Sequence, residues 1–90
     1  MLERSVRITN ALGLHARAAA QLVRKANRFK CRVLVTRYDS GVSANAKSLL
    51  SVLHLAAAFG VEIKITTNGE DELDAIDAIE KLFVDGFGEN

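Results

Sequence analysis

Ninety residues, 49% of them hydrophobic and 26% charged with no proline, suffice for one core and exclude a multidomain or disordered chain; a single domain over 1–90 is expected. One cysteine excludes an intramolecular disulfide, no apolar run approaches the ~20 residues of a membrane span, and MLERSVRITN lacks the apolar stretch of a secretory signal, so a cytoplasmic protein with no membrane insertion is expected. Net charge is only +1, yet ten of the twelve Lys and Arg lie between Arg4 and Lys47 and eight of the eleven acids between Glu70 and Glu89.

The basic first half can face an anion. Nucleic acid is not the expected one, because four Phe and one Tyr do not interleave with the basic residues to form a stacking surface. From Ser5 to Thr9, Val6 and Ile8 alternate with Arg7, the period of a half-buried strand. Ala19, Leu22, Val23 and Ala26 follow at helical spacing, predicting a helix from about Ala16 to Arg28. CRVLVTR and VSANA alternate on either side of the turn Asp39 to Gly41 and read as a hairpin. Ser48 then precedes a second helix, in which Val52, Leu55, Ala56 and Phe59 form the expected sheet-facing stripe. VEIKIT, Val61 to Thr66, is a fourth strand with one wet face. The acids after Asn68 suit the start of a last helix, whose buried side is expected to be Leu73, Ile76, Ile79 and Phe83. The order βαββαβα, with strands that each have one polar face, predicts an α+β fold: a four-stranded antiparallel sheet with three helices on one face and water on the other.

The stretch NALGLHARAAAQLV sets His15 between a glycine-containing turn and a helix. The first N–H groups of a helix lack intrahelical partners and together favour an anion. An imidazole at that point has a nitrogen free to attack an electrophile, and Arg17, two residues on, can reach back as a forked donor to phosphate oxygens. A plain helix cap is the competing reading for His15, as it is for Ser48, whose hydroxyl can bond a backbone N–H of the second helix.

GLHAR before an apolar helix, together with AKSLLSVLHL further on, resembles the histidine-containing phosphocarrier protein (HPr) family of the bacterial phosphoenolpyruvate-dependent phosphotransferase system. The likeness covers essentially the whole chain. It implies an open-faced β-sandwich and a phosphoryl carrier in which His15, through Nδ1, accepts a phosphoryl group from Enzyme I and hands it to an EIIA-type acceptor. Arg17 and the backbone N–H groups of Ala16 and Arg17 would hold the phosphate. KSLL resembles the family's regulatory serine motif, which implies phosphorylation of Ser48 by an HPr kinase/phosphorylase. Two departures stand out: Ala18 occupies the usual proline position, and Leu12 stands where many sugar-branch carriers are polar. NALGLHAR and the ending LFVDGFGEN look closer to the nitrogen-regulatory branch.

Leu49, Leu50 and Leu53 cluster about 120° from the sheet-facing stripe of the second helix. A wider core would absorb some of them; by analogy with the family they form a docking patch rimmed by Arg17, Arg24 and Lys47. His54 has no ligand-like neighbours in sequence and reads as a surface histidine, Cys31 as a small core residue, and no metal or cofactor is expected. A monomer is expected, since no large apolar face remains beyond the patch. Two other classes compete: a regulatory binding domain whose phosphorylation changes partner affinity, and a small-molecule anion-binding domain at the first helix.

Overall fold

In the computed structural model, which describes residues 1–89, four strands form one antiparallel sheet in the order β1-β4-β2-β3. The strands are β1 (Leu2–Arg7), β2 (Arg32–Arg37), β3 (Ser43–Asn45) and β4 (Glu62–Asn68), and the helices are α1 (Ala16–Ala26), α2 (Leu49–Leu55) and α3 (Glu72–Val84). No described helix is long and apolar enough to cross a membrane. Register puts Val6 opposite Ile63 and Val35 opposite Ile65, so the apolar members of each alternation line one face. These side chains merge with Leu22 of α1, Val52 of α2 and Ile76, Ile79 and Phe83 of α3 in one core. Glu3, Ser5, Arg7, Glu62, Lys64, Thr36 and Ser43 take the other face, as the period of two requires.

Three helical details depart from the periodicity. In α1, Ala18 is fully buried while Val23 is only partly buried, so the core-facing stripe is rotated by about 35° from the predicted one. In α3, Leu73 is 56% exposed; at 100° per residue it stands roughly 100° from the centre of the stripe formed by Ala75, Ile76, Ile79 and Phe83.

The third departure matters more. Helix α2 stops at Leu55, Ala56 turns left-handed (φ 51°), and Ala56 and Phe59 are exposed instead of facing the sheet. Tertiary partners explain the stop. Arg37 Nη1 donates to the carbonyls of Leu55 and Ala56, both at 3.1 Å, while the same guanidinium forks onto Asp39. Carbonyls otherwise left unpaired at a helix end are thereby satisfied. The freed segment runs on to meet the end of β1, with Gly60 N–H on Ile8 O at 2.9 Å and Ile8 N–H on Val61 O at 3.0 Å.

Helix α3 is placed by Asp71 just before it. The Asp71 carboxylate accepts from the backbone N–H of Lys30 (2.8 Å) and Cys31 (2.9 Å), tying the start of α3 to the entrance of β2. The Lys30 bond, followed by that of Cys31, holds the Asp71 carboxyl below its usual range against an opposing desolvation. Since the folded value is depressed, the stabilisation is complete above the unfolded value of about 4 and disappears as pH falls through the folded one. Asp71→Asn is therefore expected to lower the urea midpoint at pH 7, and the gap from the unchanged protein should close progressively below about pH 4. Parallel urea titrations across that range check it; a gap that persists undiminished at the acid end rejects the assignment.

Candidate functional site

His15 is the N-cap of α1, with extended backbone (φ −75°, ψ −179°) and no side-chain bond to the helix. The loop before it makes this geometry obligatory. Gly13 has φ +65°, and a Cβ there would lie 2.6 Å from Ala57 O and 2.8 Å from Ala58 Cα, so only glycine fits. Beside it, Leu14 N–H donates to Ala57 O at 2.9 Å and Gly13 N–H to Asn10 O at 3.1 Å. Leu14 enters the core, and the chain then turns into α1. The first helical bond onto His15 O comes from Ala19 N–H at 2.8 Å, which leaves the N–H groups of Ala16, Arg17 and Ala18 without intrahelical acceptors.

Around the ring lies an open depression of about 600 Å³, lined by Ala11, Leu12, His15, Arg17, Gly88 and Glu89. Arg17 is exposed at its mouth. Glu89 was not foreseen from the sequence: its Oε2 lies 2.5 Å from His15 Nε2, and its Oε1 accepts from Asn10 Nδ2 at 2.9 Å. Asn10 is completely buried, and the same amide donates to Gly13 O at 2.7 Å. His15 Nδ1 takes no hydrogen bond among the described residues. The Asn10 bond first, then His15 and the charge of Arg17, hold the Glu89 carboxyl below its ordinary range, outweighing desolvation.

Glu89 arrives through the turn Gly86–Gly88, where three successive residues are left-handed. For Phe87 that conformation costs about 1–2 kcal/mol, offset by burial of its ring edge-on to Phe83 at 5.0 Å and by Gln21 Nε2, which donates to Phe87 O at 3.1 Å. A signal existed in the sequence: GFG, two glycines around one aromatic residue after an amphipathic helix, marks a turn with an anchor.

The other candidates lie on α1, α2 and the loop before α2. Ser48 caps α2, its Oγ accepting Ser51 N–H at 3.3 Å. Leu49 and Leu53 are exposed, and Leu50 is 69% exposed; Leu12 near His15 is similarly open. Arg24 faces solvent, whereas the Lys47 ammonium donates to Phe29 O at 2.6 Å. His54 is exposed in the last turn of α2, and Cys31 is buried, its thiol pushed up mainly by desolvation. Among the described residues no group of His, Cys, Asp and Glu is arranged to hold a metal.

The family profile described as "PTS HPr component phosphorylation site" matches residues 2–85. Phosphocarrier protein HPr of Neisseria meningitidis serogroup A is 45% identical over 89 residues, covering 99% of this chain and 98% of the relative. Phosphocarrier protein NPr of Klebsiella oxytoca is 38% identical over 89 residues, with the same coverage. The crystal structure of HPr from Thermoanaerobacter tengcongensis superposes with a TM-score of 0.94 at 36% identity, covering 100% of this chain and 99% of that one.

Replacement of Gly13 by Ala should destabilise the fold by roughly 2–4 kcal/mol, the sum of left-handed strain and a backbone clash. Urea unfolding measures it, and a loss below about 0.5 kcal/mol would mean that the loop is not locked against Ala57.

Proposed function

The chain belongs to the HPr family of the phosphotransferase system, and from that premise we propose that it accepts a phosphoryl group on His15 from phospho-Enzyme I and passes it to an EIIA-type protein. The observation that carries the reading is His15 Nδ1, which takes no hydrogen bond among the described residues, beside first-turn N–H groups of α1 that have no intrahelical acceptors. In the accepting step the Nδ1 lone pair bonds to phosphorus while the donor keeps the electron pair of the bond that breaks. The second step runs the same way with the acceptor as nucleophile and His15 as leaving group. The backbone N–H groups of Ala16 and Arg17 and the Arg17 guanidinium hold the phosphoryl oxygens, where fixed donors act without reorganisation. Ala18 retains a first-turn N–H that proline would lack, so a donor is added while local rigidity is reduced.

The partners dock on Leu49, Leu50 and Leu53 with Arg24 and Lys47 as cationic neighbours, a surface suited to an apolar, acidic partner. Phosphorylation of Ser48 by an HPr kinase/phosphorylase would place about −1.5 to −2 of charge at the edge of this patch and repel such a partner. The protein works in the cytoplasm as a single chain.

Labelled phosphate supplied as phosphoenolpyruvate with Enzyme I should enter the protein as an acid-labile adduct and not enter His15→Ala. No label, with the Enzyme I proven on another carrier, rejects the proposal. Leu50→Glu should slow labelling about tenfold with His15 intact, as expected when an anchor of a small interface is reversed in character; an unaltered rate removes Leu50 from the docking surface.

A further inference from the structure

We propose that Glu89 is a positioning residue for His15, holding the proton on Nε2 and so directing an incoming phosphoryl group to Nδ1. The inference deepens the carrier reading and rests on it for the biological phosphoryl source. An ionised carboxylate only accepts hydrogen bonds, so the 2.5 Å contact requires hydrogen on Nε2. In the neutral ring the lone pair then belongs to Nδ1, the atom that takes no hydrogen bond among the described residues. Partners of this kind fix the tautomer and orientation of functional imidazoles elsewhere.

The placement of the carboxylate is over-determined. Its second oxygen is held by the buried amide of Asn10, and that amide also bonds Gly13 O in the loop that positions His15. The Phe87 anchor prevents the tail from swinging away. A single unit therefore sets both the backbone of His15 and the group behind its ring.

The charge balance follows. When Nδ1 bonds to phosphorus, the ring becomes cationic and Nε2 keeps its proton against Glu89. On the return step the P–N bond breaks, its electron pair goes back to Nδ1, and the leaving group is a neutral imidazole because Nε2 has not lost that proton. Arg17 serves the phosphoryl oxygens, while Glu89 serves the ring.

Phosphoramidate phosphorylates imidazole without any partner protein, releasing ammonia as the ring nitrogen displaces it, so it isolates the choice of nitrogen from the carrier function. Phosphorus NMR of the treated protein should show the Nδ1 adduct. Glu89→Ala should raise the share of Nε2 adduct by at least about tenfold. Glu89→Gln, whose amide oxygen can accept the same hydrogen bond, should restore most of the preference. Amide spectra outside the tail should be unchanged in both variants, and nitrogen NMR of the unmodified ring should report hydrogen on Nε2. An Nε2 adduct in the unchanged protein, or an unaltered preference in Glu89→Ala, overturns the assignment. Failure of transfer from Enzyme I with normal Nδ1 selectivity would instead reject the carrier reading and leave the role of Glu89 standing.

Discussion

The hydrogen bond from Leu14 N–H to the Ala57 carbonyl, made beside a glycine with no room for a Cβ, is the constraint on which the site depends. It fixes where the first loop ends and α1 begins, and therefore where His15 and the unpartnered N–H groups behind it stand. The bond is available only because α2 stops at Leu55 and releases the chain from Ala56 onward. That stop depends in turn on Arg37, held by Asp39 and reaching two carbonyls at the helix end. His15 is thus positioned by a strand-end arginine and a helix terminus, neither of which touches it.

The site is assembled from two distant parts of the chain. Gly13 and Asn10 come from the first loop, and Glu89 comes from the far end through a left-handed turn anchored by Phe87. Buried Asn10 joins the two, bonding the loop carbonyl with one interaction and the Glu89 carboxylate with another. Opposite charges surround the imidazole asymmetrically: carboxylate at Nε2, guanidinium and helix N–H groups on the exposed side. Such a division matches the proposed role, an anion carried on one nitrogen and a proton kept on the other.

The open face of the sheet, with Glu3, Arg7, Glu62 and Lys64, supplies none of the residues that line the depression around His15. The proposed chemistry lies where α1 begins, at the first loop, which packs against the segment following α2 through Leu14 N–H and Ala57 O, whereas α2 begins beside the end of α1, where Asn27 Nδ2 donates to the Lys47 carbonyl at 3.2 Å. The remaining charge asymmetry has a structural use as well. Acids of α3 engage the basic first half through Arg4, which binds Asp77 and Glu80 and ties β1 to that helix.

What the sequence determined by itself was the set of elements and most of the core: alternation in SVRIT, CRVLV and VEIKI yields strands because side chains project on opposite faces, and the glycine–histidine–helix order points to His15. These are local properties, carried by residues a few positions apart. The length of α2, the burial of Ala18, the exposure of Phe59 and Leu73, and the arrival of Glu89 at the ring were decided by tertiary structure alone. The end of α2 and the place of Glu89 depend on partners tens of residues away, Arg37 for the one and Asn10 for the other. Periodicity records which face of an element is apolar, but it holds no term for a distant guanidinium that takes up a helix's last carbonyls, nor for an aromatic anchor that folds a chain end back onto its beginning.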